Sequence, residues 1–374
     1  MENRFKEIFG EEPLFTVEAP GRIELGGNHT DHQRGLVLAS PARLKINAWV
    51  RLTDSDDINI FSEGRKMFTM NVSDLDIHED EKGTTMSLIR GMAAQFADHE
   101  LTGFNAYINS DVPSGSGLSS SAAMEILLGK IFSIITKTPK SWIELAQMGM
   151  KVENEYFGKP CGLLDQMACA ASGIIAIDFA DPEHPKVEEL DYDFKKAGYR
   201  ICVIKCGAGH EEMTDSYASV PQEMEKVCEV FGKKYLREIP EDEFYRDILK
   251  VREACGDRAV LRAMHIYNDN RRVENMIKAI KGNDIDTYLA QVRESGRSSW
   301  ELLQNVVPSG ATVHQDMAFT IKMAERILRG RGAVRIHGGG FAGTAQAYVP
   351  IDMEDYFKQE IENLMGEGSC YFMN

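Results

Sequence analysis

Residues 111–123 read Asp-Val-Pro-Ser-Gly-Ser-Gly-Leu-Ser-Ser-Ser-Ala-Ala, and the stretch that follows, to Ile135, is largely apolar. A Gly-Ser turn that feeds a helix apolar on nearly every side belongs to a folded interior, not to a linker. Gly115 and Gly117 let the main chain turn and come close to a ligand with no Cβ in the way. The hydroxyls of Ser119, Ser120 and Ser121 then enter the helix N-terminus, where unpaired N–H groups and the positive end of the macrodipole favour an anion. The bland reading is a loop with a Ser N-cap. The buried helix behind it makes a phosphate cradle, formed by Ser114 to Ser121, the better one. The stretch lacks the Gly-Lys-Ser/Thr ending of a P-loop and the acidic partner of a dinucleotide fingerprint, so a nucleotide here is held in another way.

A chain of 374 residues exceeds what one hydrophobic core serves, which predicts two domains. The polar, Pro-rich stretch at 181–185 marks the boundary, giving domains 1–180 and 181–374. Strand patterns at 44–52, 103–109, 199–205, 333–337 and 344–349 alternate with helical patterns at 86–98, 122–135, 141–157, 163–171, 222–231, 258–281, 285–303 and 313–328, an α+β chain. A net charge of −16 argues against a nucleic-acid partner, because such a binder needs a basic footprint. No run of eighteen apolar residues occurs and the N-terminus is charged, so neither a membrane span nor a signal peptide is expected. Seven cysteines without paired spacing read as reduced thiols of a cytoplasmic protein.

Three further segments carry chemistry. In 19–32 a cation (Arg22), an amide (Asn28), an imidazole (His29) and a carboxylate (Asp31) share a Gly-flexed turn, and polyols are bound by such groups. Singly, Arg22 reads as a surface ion pair and His29 as a satisfied imidazole; their density favours a site. In 160–168 an Asp (Asp165) stands among Leu, Met and Ala, where burial demands a cationic or hydrogen-bonding partner, unless it is only an N-cap. In 335–345 four glycines surround one aromatic between two strands, more than a tight turn needs.

Segments 19–32 and 335–345 with the Gly-Ser stretch resemble the three motifs of the GHMP small-molecule kinases, and these with 160–168 resemble the galactokinase family within them. Residues 21–32 are similar to the signature Gly-Arg-Val-Asn-Leu-Ile-Gly-Glu-His-Thr-Asp-Tyr, 112–122 to Val-Pro-x-Gly-x-Gly-Leu-Ser-Ser-Ser-Ala, 161–166 to Cys-Gly-Ile-Met-Asp-Gln and 337–343 to Thr-Gly-Gly-Gly-Phe-Gly-Gly. The resemblance implies a GHMP kinase fold of two mixed α+β domains with the active site in the cleft between them. It implies an ATP- and Mg²⁺-dependent phosphotransferase acting on the anomeric hydroxyl of galactose or a galactose-configured sugar. By position, Asp165 would face the sugar O1 with Arg22 beside it. Ser121 and Glu153 would address Mg²⁺; Ser114, Gly115, Ser116, Gly117, Leu118, Ser119, Ser120 and Ser121 the phosphates; and Asn28, His29, Asp31, Gly162 and Tyr217 the sugar.

The chain departs from the pattern at Asn28 (Glu in the family, by the sugar's C6 hydroxyl), His32 (Tyr), His337 (Thr) and Ala342 (Gly). Loss of that Glu lifts the repulsion a C6 carboxylate would meet, about 4 kcal/mol at 4 Å and an effective dielectric near 20, and the Asn28 amide could donate in its place. Galacturonate is therefore the alternative substrate, and 31–33 resembles the corresponding stretch of plant galacturonokinases. The helix before the sugar strand offers Met86 and Leu88 to adenine and no aromatic ring, which predicts weak discrimination against GTP. Mevalonate, homoserine and heptose-phosphate kinases are the rivals inside the superfamily, and they lack the His29-Thr30-Asp31 segment. A non-catalytic sugar and ATP sensor is the rival outside the enzymes; Ser119 to Ser121, Arg22, Glu153 and Asp165, all present, speak against it.

Overall fold

The computed structural model describes residues 2–113, 117–207 and 214–373, without the side chain of Thr214. In chain order the strands are β1 (Phe15–Gly26), β2 (Leu36–Leu52), β3 (Asp57–Ser62), β4 (Phe68–Asn71), β5 (Phe104–Ser110), β6 (Ile174–Asp178), β7 (Lys186–Leu190), β8 (Tyr199–Lys205), β9 (Ala333–His337), β10 (Thr344–Pro350) and β11 (Cys370–Phe372). The helices are α1 (Glu2–Phe9), α2 (Thr85–Ala94), α3 (Ser120–Ile135), α4 (Trp142–Val152), α5 (Leu164–Ala170), α6 (Thr214–Val230), α7 (Glu241–Arg246), α8 (Ile248–Cys255), α9 (Asp257–Lys281), α10 (Ile285–Ser298), α11 (Asp316–Leu328) and α12 (Glu354–Met365). Five-residue π turns extend α4 (Glu153–Phe157) and α10 (Ser299–Leu303). The α+β class expected from the sequence is what the chain forms.

The residues gather into two compact units that are not contiguous halves. The first holds the described residues up to Arg22, then 41–113 and 118–172; the second holds 23–40, Gly117 and the described residues from Gly173 on. The chain's last passage between them comes at Gly173, and the placement of 23–40 is not part of the division at 180 expected from the sequence. β1 and β2 each carry the chain from one unit into the other.

In the first unit the later part of β2 pairs antiparallel with β5, from Ile46 opposite Ser110 to Leu52 opposite Phe104, while β3 runs parallel to β5 and antiparallel to β4. Helices α2 to α5 pack together, and α3 is their centre because most of its circumference is apolar: Ala122, Ile126, Leu127, Ile131 and Phe132 are fully buried. Phe132 lies against Phe96 and edge-on to Phe104, so truncation to Ala would cost about 3–5 kcal/mol. α4 opens with a capping box at Ser141 and Glu144.

In the second unit the start of β2 pairs with β6, which pairs with β7, both antiparallel. A separate antiparallel sheet has the order β11-β8-β10-β9. One core lies between that sheet and α11 and α12, and a helical core joins α6, α8 and α9. Every residue of β9 and β10 is buried, including Arg335, His337, Thr344 and Gln346, so these strands carry polar groups that must find partners inside.

Candidate active site

The first unit assembles a carboxylate with its own counter-ion. Arg22, 7% exposed near the end of β1, donates from Nε to Asp165 Oδ1 at 2.7 Å. The Ser119 hydroxyl donates to the other oxygen, Asp165 Oδ2. Burial alone would raise the carboxyl's pKa, but the Arg22 guanidinium and the Ser119 hydroxyl outweigh it and hold Asp165 below the usual range. Asp165 is therefore ionised at neutral pH while its side chain stays 29% exposed, which leaves room for a hydroxyl to approach. The pairing depends on a close crossing of main chains. Arg22 N–H donates to Leu118 O at 3.0 Å, and a Cβ on Gly21 would fall 2.7 Å from that same oxygen.

Ser119 is not the N-cap its position suggests. It adopts the left-handed conformation (φ 56°, ψ 61°), makes no capping bond to α3, and gives its hydroxyl to Asp165 instead. Ser119 thus gives the first turn of α3 no side-chain cap, and a helix N-terminus favours an anion. Gly117 turns at φ +69°, where a Cβ would meet Thr344 Oγ1 at 2.3 Å. Leu118 is fully buried and anchors the loop, and Ser120 begins α3. Ser114, Gly115 and Ser116 lie outside the described residues.

A second polar group forms two residues beyond Ser119, in the first turn of α3. Ser121 Oγ donates to Glu153 Oε1 at 2.9 Å, and Lys159 Nζ lies 3.4 Å from the same oxygen. The other oxygen, Glu153 Oε2, is fixed by Gln166 Nε2 at 2.8 Å, and that amide also reaches Glu125 Oε2 at 3.0 Å. Glu125 is fully buried, and burial together with the charge of Glu153 pushes its pKa well up. A hydroxyl and an oriented carboxylate are hard oxygen donors of the kind Mg²⁺ takes when substrate phosphates and water complete its shell. No group of three or more His, Cys, Asp or Glu side chains that could hold a metal ion occurs among the described residues. Gly162 lies half-buried in the loop just before α5. On α2, Met86 is half-buried and Leu88 is in the core (3% exposed), so Leu88 is not available to adenine as expected.

The second unit holds the sugar-signature turn. Its main chain is gripped by one helix: His265 Nε2 donates to Asn28 O at 3.0 Å, Asp269 Oδ2 accepts Asn28 N–H at 2.8 Å, and Asn270 Oδ1 accepts Leu36 N–H at 2.8 Å. Asn28 is fully buried. Its amide donates to Gly338 O at 2.7 Å and Glu24 Oε1 at 3.1 Å, and its oxygen accepts from Asn305 at 2.9 Å. The expected donation from Asn28 to a sugar substituent is therefore not what this arrangement offers, because every amide group is already engaged.

His29 Nε2 donates to Gly339 O at 2.9 Å, and the Tyr217 hydroxyl donates to Gly340 O at 2.7 Å. Burial, reinforced by neighbouring His32, pushes His29 down to about 3, so its ring is neutral. Asp31 is 10% exposed, with His32 Nε2 4.0 Å away. Beneath the turn, Arg335 meets Glu24 at 2.5 Å, the arginine wholly buried and the glutamate 3% exposed. Glu24 N–H donates to His337 Nε2 at 3.1 Å, so that nitrogen carries no proton and Nδ1–H faces Thr344 Oγ1 at 3.1 Å.

Arg22, Asp165, Ser119, Ser121 and Glu153 are thus brought together within the first unit, and Asn28, His29, Asp31 and Tyr217 within the second. Glu24, Arg335, Asn305, His265, Asp269, Glu125 and Gln166 were not singled out by the sequence. A signal existed for Arg335, a charge inside a strand pattern with apolar neighbours.

Residues 87–173 match the GHMP kinases N terminal domain, and residues 3–52 match the galactokinase galactose-binding signature. A galactokinase of Lacticaseibacillus casei (strain BL23) is 31% identical over 362 residues, 94% of this chain and 90% of its own length. One from Glaesserella parasuis serovar 5 (strain SH0165) is 27% identical over 369 residues, 96% of this chain and 91% of its own. Among solved structures, Lactococcus lactis galactokinase complexed with galactose superposes with a TM-score of 0.84 at 23% identity, covering 100% of this chain and 96% of that one. Methanococcus jannaschii mevalonate kinase gives 0.68 at 16% identity, covering 96% and 98%.

Proposed function

The chain belongs to the galactokinase family of GHMP kinases, and on that footing we propose that it transfers the terminal phosphoryl group of ATP to the anomeric hydroxyl of galactose or a galactose-configured sugar. The observation that carries this is the Arg22–Asp165–Ser119 constellation: an ionised, half-open carboxylate clamped by a cation and a hydroxyl at the mouth of the Gly-Ser loop. Asp165 orients the acceptor hydroxyl and takes its proton as the bond to phosphorus forms. Arg22 keeps the carboxylate charged until then and offsets negative charge as it develops. The rest of the rate comes from holding acceptor and donor in line, which is most of what phosphoryl transfer asks of a protein.

The described part of the Gly-Ser loop, with the uncapped start of α3, would receive the phosphates. Ser121 and Glu153 would hold Mg²⁺, which when bound neutralises phosphate charge; Gln166 aims the carboxylate, and Lys159 lies beside it. Asp31 and Gly162 are the residues left to face sugar hydroxyls, with Asn28, His29 and Tyr217 acting on the glycine loop. Galacturonate remains the second reading, favoured by a neutral side chain at 28 and by a Glu24 charge already matched by Arg335.

A coupled ADP-release assay over hexoses and uronates tests the proposal. Asp165→Asn should lower kcat by about 100-fold or more, the usual span for a lost general base, with the fold intact by circular dichroism. A variant that keeps near-normal turnover would refute the assignment. With one half-buried Met on α2 and no ring, GTP should replace ATP with less loss than a stacking site would impose, and a strict ATP preference in a four-nucleotide comparison would contradict this.

A further inference from the structure

The glycine loop at 338–340 surrenders three consecutive carbonyls to side chains. Asn28 takes the first, His29 and Asn305 the second (Asn305 Nδ2 at 3.1 Å), and Tyr217 the third. Three of these four side chains were expected on the sugar. Here they fasten the loop.

The second observation is an exchange of residues. The signature that 21–32 resembles has Asn four places before its Glu, whereas this chain has Glu24 four places before Asn28. The two side chains touch, Asn28 Nδ2 donating to Glu24 Oε1 at 3.1 Å, and Arg335 bonds that same oxygen at 2.5 Å. Neither half of the exchange works alone. A glutamate at 28 with Glu24 retained would set two carboxylates on each other and on the Gly338 carbonyl, all out of water. An asparagine at 24 with Asn28 retained would strand a wholly buried Arg335.

We propose that the exchange is one coupled change: the carboxylate has moved from position 28 to position 24, over Arg335, and Asn28 has become a positioning residue that selects what stands at the sugar's C6 end by fixing the 338–340 loop instead of touching the sugar. This rests on the sugar-kinase reading above. The buried state of Asn28 is its main support, since contact with a ligand would first have to break one of its three bonds. The reverse exchange is chemically open, because Arg335 Nη1 is buried without a hydrogen-bond partner among the described residues, so the guanidinium has an N–H group still to donate to a carboxylate.

The test compares wild type with Glu24→Asn, Asn28→Glu and the double variant, reading thermal midpoint together with kcat/KM for galactose and for galacturonate at saturating ATP. Each single variant should lose about 5 °C or more, as expected for a stranded or doubled buried charge, and the double variant should regain at least about half of the summed loss. In the double variant the galactose-to-galacturonate ratio of kcat/KM should shift by about tenfold toward galactose, with the KM for ATP within about twofold of wild type. Should the charged variants not fold, Asn305→Ala removes the bonds to Asn28 Oδ1 and Gly339 O without moving charge; it should raise the sugar KM several-fold and leave that for ATP in place. Additive losses of midpoint, an unchanged sugar ratio in a folded double variant, or equal shifts of both KM values in Asn305→Ala would overturn the inference in an enzyme that is otherwise active. A wild type that phosphorylates no sugar on the panel would instead refute the underlying reading, and this one with it.

Discussion

Ser119 serves the carboxylate at the expense of its own backbone. A non-glycine residue at φ 56° costs on the order of 1 kcal/mol, and its hydroxyl returns that through Asp165. Two substitutions separate the terms: Ser119→Gly and Ser119→Ala both forfeit the hydroxyl, but only glycine relaxes the backbone. Ser119→Gly should therefore be the more stable by about 1 kcal/mol in urea titration, while the two share the same loss of turnover.

His29 makes a prediction in pH. Its folded pKa of about 3 lies below the ordinary value of 6.5, so the unfolded chain binds the extra proton first as pH falls, and the stability this residue contributes is present above 6.5 and drains away toward 3. His29→Asn, which tolerates the left-handed φ of 61°, removes that linkage. The gap in thermal midpoint between wild type and His29→Asn should narrow from pH 7 to pH 5; a constant gap would contradict it.

At this scale Asp165 was legible as a carboxylate among apolar neighbours that asks for a partner and Arg22 as one of a dense set of polar groups, whereas Ser121 and Glu153 came only with the family resemblance. The sequence hid Asn28's true engagement, because no local pattern shows that Glu24, Asn305 and a glycine carbonyl will converge on it.

Among the elements, α9 does the most to place the signature turn. Its 25 residues are legible from their apolar spacing, but His265, Asp269 and Asn270 read as ordinary polar residues of a long helix, and only the fold shows them gripping Asn28 and Leu36. Asp269→Ala would leave the Asn28 N–H and Arg272 without their buried acceptor and should cost about 2–4 kcal/mol, measurable as a lower urea midpoint. Replacement by Asn, which can still accept, should cost less.

Two elements of little apolar content are among those the sequence did not disclose. α12 buries only Phe357 and Ile361 on a strongly acidic background, and β7 buries only Leu190, so neither presents a clear period. The helix expected over 141–157 is α-helical to Val152 and then widens into the π turn that carries Glu153, a change no propensity signals.

For the whole molecule, the two-domain reading from length stands beside a division into interleaved units. Composition shows how much core a chain can build; it does not show which strands cross from one unit to the other. A fragment comprising residues 173–374 lacks 23–40, which includes the partner of β6 and the turn that α9 grips. Expressed alone, it should show no cooperative thermal transition and no fixed near-ultraviolet dichroism; a sharp transition in that fragment would show the second unit to be self-sufficient.

That interleaving also orders the events of synthesis. By the time residue 172 leaves the ribosome, all the sequence of the first unit has emerged, whereas residues 23–40 have yet to see β6 or α9. For as long as it takes to translate the remainder, this stretch, with Val37, Leu38 and Ala39 bound for full burial, is an unpaired sticky edge. Holding factors that cover nascent apolar strands should therefore matter more to the yield of this protein than to that of a chain whose domains are finished one after the other.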